Sequence, residues 1–301
     1  MKRGTMSRQL HTDLVGYSFM LPSLVGLLFF SMIPLLFSLY VSLTDWNYLK
    51  GIGNWRFIGL DNFISLWTDE WFLAALKNTV VFTVVTVPIS LLLSVVLASL
   101  LENFCAGRLA NTLRIAMYMP NICNVVATAA VWMMMFSSYG PFTLLVKSLG
   151  WTNPPMWLAD YDWALPAVML VSIWSSLGYR VFIYSAAMQG LPQELYEAAS
   201  IDGASKFRQF RHLTLPLLAP TTFFLTITGI IGSFKVFGTI NVMTKGGPGH
   251  STYTMVYYIY RTAFSYYRMG YASSVAVILF IMMLIITVFQ WNHNKKRELS
   301  M

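Results

Sequence analysis

An all-α integral membrane protein with six transmembrane helices is the fold class this sequence predicts, and three observations predict it. Of its 301 residues, 56% are hydrophobic and only 11% charged, whereas soluble domains carry about a quarter charged residues. Five stretches long enough to cross a hydrocarbon core, which takes about 20 residues, contain no Lys, Arg, Asp or Glu. They are Leu14–Thr44, Asn78–Leu101, Ile115–Val146, Leu213–Phe234 and Met269–Asn294. The cations behind the net charge of +8 gather at the ends of these stretches. That is the pattern of topogenic charge, not the single patch that binds nucleic acid.

Each element follows in order. The basic start "MKRGTMSR" imitates a secretory signal. Its apolar run is longer than the roughly 7–15 residues of a signal core, and no small-x-small cleavage site follows it. A retained first helix is expected. The third stretch, Ile115–Val146, exceeds one span, and "SSYGPF" from Ser137 is expected to end its helix. Trp163–Met188 supplies a sixth span, apolar apart from Arg180. Cys105 and Cys123 lack metal-ligand spacing and read as free packing residues, since a helical membrane bundle needs no disulfide staple.

Placing the N-terminus inside gives eleven cations to the cytoplasmic segments and seven to the outer loops. Both termini are therefore expected in the cytoplasm. The expected organisation is a cytoplasmic N-terminus (1–13), a transmembrane domain (14–301), outer loops at 44–74 and 241–268, and a cytoplasmic tail at 292–301.

Between spans four and five the oily character breaks. "EAASIDGASKFRQFRHLTLPLLAP", Glu197 to Pro220, is polar and charged before turning apolar again at Leu213. The region 190–216 reads as helix, turn, helix. Pro192 suits a first turn and "QELYEAAS" holds good helix formers. Gly203 permits a sharp change of direction, and Ser205 suits a cap. Leu195, Ala198 and Ala199 share one face, with Ile201 at its edge, while Glu197 and Asp202 can meet cations at the rim. The residues alone leave two readings level. One is a plug for another protein's groove; the other is an amphipathic linker on anionic lipid, using Lys206, Arg208 and Arg211.

This stretch resembles the EAA loop of binding-protein-dependent ABC importer permeases. The positions that carry the likeness are Glu197, Ala198, Ala199, Gly203, Leu213, Leu215 and Pro216. Leu213 stands where the family usually has Ile. "AAMQGLPQELY" before it resembles the carbohydrate branch, as do "RFIGLDNF" at Arg56–Phe63, "SLTDW", "MTKGGPGHSTYTMVYYIYRTAF" and "MGYASSVAVILF". Thr143, where sugar permeases often show Asn, and the charged Arg180 and Lys235 are departures.

The resemblance implies a type I ABC importer permease fold in a prokaryotic cytoplasmic membrane. It makes the insert a coupling helix, with Glu197, Ala198, Ala199, Ile201, Asp202, Gly203, Leu215 and Pro216 as its coupling residues. The implied partners are a cytoplasmic ATPase dimer that binds ATP and Mg, a second, homologous permease forming a heterodimer, and an external solute-binding protein. Membrane lipid surrounds the chain and nucleic acid has no part. The implied cargo is an oligosaccharide or glycoside.

The chain offers no cofactor site and no energy source of its own. A phosphate loop needs Gly-Lys, and no lysine here follows a glycine. No HExxH and no GxSxG occurs, so an intramembrane hydrolase has no motif behind it. A self-contained channel or ion-coupled secondary transporter is the alternative. Charges inside spans mark candidate paths, because lipid does not tolerate them. Arg180 and Lys235, with Phe234 and Asn241 near the latter, form the candidate translocation path, and the two cations favour an anionic or heavily hydroxylated solute; the other reading of Arg180 has it pair with a partner subunit or snorkel to the inner interface. "KGGPGHS", Lys245 to Ser251, is expected to be a turn at the outer mouth. Trp46, Trp55, Trp67 and Trp71 are read as interfacial anchors in preference to sugar-stacking platforms.

Overall fold

The computed structural model describes residues 3–51, 53–104 and 107–298, and strand pairing among them is confined to two isolated bridges. Lys2, Cys105 and residues 299–301, which enter the expectations above, lie outside the described residues.

The first apolar rod is α1 (Arg3–Leu27), a π-helical turn at Leu28–Met32 and α2 (Ile33–Ser42). Only 6% of its spanning window is buried. A helix apolar on every side at such exposure belongs in lipid or against another chain. A short α3 (Asp61–Leu66) precedes the long α4 (Glu70–Phe104). Next come α5 (Gly107–Ile122), α6 (Val125–Met135), α7 (Pro141–Ser148) and α8 (Ala164–Gln189). The polar insert forms α9 (Gln193–Ile201) and α10 (Lys206–Gln209), then a π-helical turn at Phe210–Thr214 and α11 (Leu215–Leu217). Then follow α12 (Ala219–Phe234), α13 (Gly238–Met243), α14 (Met255–Tyr260) and α15 (Met269–Glu298).

Five segments are long and apolar enough to cross a membrane: Val15–Ser42, Glu70–Asn103, Ala164–Gln189, Ala219–Met243 and Met269–Asn292. The sixth is not a continuous helix. α5 and α6 meet at a bend of 100°, and only together are they long and apolar enough to enter a membrane, as a broken span or a re-entrant loop. The cause is local. Pro120 removes a helical N–H donor, and the Asn124 side chain accepts from the Val126 N–H at 2.8 Å, capping a new helix in a new direction. α6 stops at Met135, just short of the "SSYGPF" punctuation, where Gly140 N–H donates to the Ser137 carbonyl.

The chain divides into two compact units, residues 1–66 with 261–278 and residues 67–260 with 279–301. In the first, buried Asn62 donates to the carbonyls of Ser42 and Thr44, each at 2.9 Å, tying α3 to the end of α2. Gly270 lies so near the Thr44 carbonyl that a Cβ would stand 2.0 Å from its oxygen.

In the second unit α4 is the spine, packed mainly on α8 and α12, while α8 also packs on α5. Val95, Ala98 and Leu101 of α4 meet Val181 and Tyr184 of α8 and Leu225 of α12. Gly178 makes the α5–α8 crossing possible: a Cβ there would stand 1.8 Å from the Met117 carbonyl oxygen. Small residues at membrane helix crossings serve this purpose, since apolar burial alone drives little association in lipid. A second cluster joins α6 to α8 through Ala129, Phe136, Trp157, Ala167 and Val171.

Candidate functional site

The polar insert is a braced hairpin. α9 begins one residue after Pro192, which occupies the cap position, and ends at Ile201 with Asp202 as its C-cap. Gly203 turns the chain with φ of +76°, a left-handed conformation natural to glycine. Gly203 N–H donates to Ser200 O and Ala204 N–H to Ala199 O, closing the end of the helix. Ser205 caps α10, accepting from Arg208 N–H at 3.4 Å. Gln209, almost fully buried, then clamps the two arms: its amide nitrogen lies 2.9 Å from Ser200 Oγ and 3.1 Å from Ala204 O. Tyr196 OH bonds Thr214 Oγ1 at 3.0 Å, fastening α9 to the stem of the following span.

Large apolar side chains stand exposed on this brace among charged ones, including Lys206, Arg208 and Arg211. Ile201 is 87% exposed and Phe207 72%, with Leu195 and Leu215 also exposed. Glu197, Ala198, Asp202 and Pro216 are exposed and Ala199 is half-buried. Among the described residues, neither Glu197 nor Asp202 has an ion-pair partner. The hairpin thus holds an oily tip rimmed by free carboxylates on a rigid base.

The insert also joins two helices that wall a cavity. A space of about 220 Å³ in the second unit lies between α4 (Thr86, Ser90), α8 (Ser172, Ser175, Ser176, Arg180) and α12 (Thr228, Gly232, Ser233). A smaller one, about 160 Å³, opens at the α5–α6 break and shares Ser175 and Ser176, with Asn121, Cys123 and Thr239 also lining it. Cys123 is free and exposed.

The lining follows from helical spacing. Ser172, Ser175, Ser176 and Arg180 recur at three to four residues and share a face of α8. On α4, Thr79, Thr83, Thr86, Ser90 and Ser94 form a second stripe, all buried. Most of these hydroxyls donate to their own helix, such as Thr86 to Phe82 O at 2.7 Å and Ser90 to Val87 O at 2.9 Å. Ser233 Oγ lies 2.9 Å from Thr83 Oγ1 and links α12 to α4. Arg180 Nη1 donates to Ser176 Oγ, and its Nη2 rests over Gly229, where a Cβ would come within 3.1 Å.

Of the four candidate path residues, Arg180 lines a cavity. Lys235 is exposed at the C-terminal end of α12, Phe234 is 3% exposed, and Asn241 is half-buried in α13. The α4 hydroxyl stripe was missed in the sequence, although Thr and Ser at three-to-four spacing inside a charge-free stretch would have revealed it. At the "KGGPGHS" loop, Asn78 donates to the carbonyls of His250 (2.9 Å) and Tyr253 (3.0 Å), and Tyr161 OH meets His250 Nε2 at 2.8 Å. Trp71 packs edge-on against His250 and Tyr253, whereas Trp46 packs on Phe37 and Trp55.

Beside the hairpin's start, Arg114 of α5 pairs with Glu102 of α4 at 2.6 Å, and Gln189, last residue of α8, reaches the same carboxylate at 3.3 Å. Among the described residues no cluster of His, Cys, Asp or Glu could hold a metal ion.

Known proteins resemble this chain in sequence and in fold. The lactose transport system permease protein LacF of Rhizobium radiobacter is 33% identical over 95% of this chain and 96% of its own length. The sn-glycerol-3-phosphate transport system permease protein UgpA of Agrobacterium fabrum is 34% identical over 80% of this chain and 82% of its own. A chain of a bacterial alginate ABC transporter, solved in complex with an alginate pentasaccharide-bound periplasmic protein, superposes with a TM-score of 0.82. It covers 96% of both chains at 22% identity, which establishes a common fold. Residues 91–296 match the family described as binding-protein-dependent transport system inner membrane component. On these grounds the chain belongs to that family, as a multi-pass permease of the inner membrane.

Proposed function

We propose that this chain is a permease subunit of an ATP-driven importer that moves a carbohydrate into the cytoplasm. One observation carries the reading: the braced hairpin is the direct connection between α8 and α12, and both helices wall the hydroxyl-lined cavity. A push on the hairpin therefore reaches the walls around a solute through a three-residue link to α8 and the helical stem of α12. Gln209 and the Tyr196–Thr214 bond keep the push from being absorbed locally.

In this reading both termini and the hairpin face the cytoplasm. The exposed Leu195, Ile201 and Phe207 enter a groove on an ATPase dimer, which binds ATP and Mg, and Glu197 and Asp202 meet cations at its rim. Closure of that dimer rocks α8 and α12 and turns the cavity from one side of the membrane to the other. A second, homologous permease completes the path, and an external solute-binding protein delivers the sugar. Relatives named for lactose and sn-glycerol-3-phosphate transport, and the alginate complex, support a carbohydrate or polyol cargo.

The test is reconstitution in proteoliposomes with and without the partner ATPase. ATP-dependent uptake that needs both is expected. Gly232→Phe fills the cavity, because a Cβ at Gly232 meets nothing within 4 Å, and should abolish uptake in a complex that still assembles. Uptake by the lone chain on an ion gradient would replace this reading with that of a secondary transporter.

A further inference from the structure

The hydroxyl-lined cavity contains one formal charge and no counter-charge of its own. Among the described residues no Asp or Glu lines either cavity. The segments around Arg180 carry carboxylates only near their ends, at Glu70 and Glu102, and Glu102 is already paired with Arg114. A guanidinium keeps its charge under all working conditions, so the cation cannot be relieved by losing a proton. Placing it inside a membrane span calls for an anionic partner or a wet cavity.

Its hydrogen bonds tell the same story. The guanidinium has five N–H donors, and Ser176 Oγ is the acceptor found for it. Arg180 itself lines the cavity. The walls around it direct their donors elsewhere. Thr86, Ser90, Ser175, Ser176 and Thr228 each donate to a carbonyl of their own helix, at 2.7 to 3.3 Å. Their lone pairs are what face a solute. Such a wall accepts from the O–H groups of a sugar but brings no anion to balance the fixed cation. A forked, donor-only group adds recognition where the solute offers a group that only accepts, which is a carboxylate or a phosphate.

We propose that Arg180 binds an anionic oxygen group, carboxylate or phosphate, carried on the transported saccharide, so that this importer handles an acidic sugar. The inference rests on the reading of the cavity as the solute site.

The experiment measures equilibrium binding to the assembled importer in nanodiscs, without the external binding protein. The probes are two pairs that differ in charge: digalacturonate with its dimethyl ester, and mannose 6-phosphate with mannose. Wild type should hold the charged member of at least one pair about tenfold more tightly or better, and the pair that responds identifies the group. Arg180→Gln should erase that preference, while Arg180→Lys retains part of it. Equal affinities within both pairs, no binding of any probe, or a preference that survives Arg180→Gln overturns the proposal. Gly232→Phe separates the two readings. If it abolishes binding of all probes while charge preference is absent, the cavity remains the solute site and only the role of Arg180 falls. If it leaves binding intact, the cavity reading falls first. Failure of Arg180→Gln, but not Arg180→Lys, to assemble would assign the charge to a carboxylate of another chain, and would also overturn the proposal.

Discussion

At Gly178 an added Cβ would stand 1.8 Å from the Met117 carbonyl oxygen and 2.7 Å from Tyr118 Cα, both backbone atoms that cannot rotate away. Gly178→Ala must therefore separate α5 from α8. The expected cost is about 1–3 kcal/mol, read as a lower melting temperature of the purified permease. Gly232→Ala in the same unit meets no atom within 4 Å and should leave that temperature unchanged. Gly203 fails for a different reason: its surroundings are open, but its φ of +76° penalises any β-branched side chain by about 1–2 kcal/mol. Gly203→Val should lower uptake with normal membrane content, and Gly203→Asn should be milder, since Asn tolerates that conformation. Residue identities showed that a cation lay in span four, but not what it faced. Arg180 gains its meaning from Ser176 one turn before it and from Gly229 on a helix nearly fifty positions away, and linear sequence does not rank that contact above the neighbourhood of Lys235.

Among elements, the hairpin was the most legible. Its polarity interrupts an oily chain, its turn glycine and cap serine stand at the expected places, and its family likeness is dense. The brace was not legible, because Gln209 and Tyr196 are unremarkable until folding brings them to Ser200 and Thr214. Removing the brace tests it. Gln209→Leu deletes two side-chain hydrogen bonds, each worth about 0.5–1.5 kcal/mol, and Tyr196→Phe deletes one. Each should let ATP hydrolysis continue while solute moved per ATP falls, with the double variant worse than either. Unchanged coupling in the double variant would mean the brace transmits nothing. The broken α5–α6 span was hidden for the opposite reason: a charge-free stretch announces that it can enter lipid, not that it runs straight. "MPNICN" held the signal in Pro120 and Asn124, where a lost donor and a new cap meet within five residues.

For the whole molecule, composition decided the environment, and charge-free intervals overlap four of the five continuous spans, closely at Val15–Ser42 and Met269–Asn292 but with Met243 well beyond Phe234; the fifth, Ala164–Gln189, carries Arg180. The α4 and α8 hydroxyl stripes needed a helical reading inside those intervals, where hydropathy alone treats Thr and Ser as neutral filler. The molecule then has a consistent logic: α4 is the spine on which α8 and α12 pack, these two wall the cavity beside it, and the hairpin joins those walls. The most direct measurement is cross-linking from Ile201→Cys, at the exposed tip, in an importer that is taking up solute. The account predicts capture of the cytoplasmic ATPase subunit, with a yield that changes when ATP binds. An importer active in uptake whose Ile201→Cys never captures that subunit would contradict it.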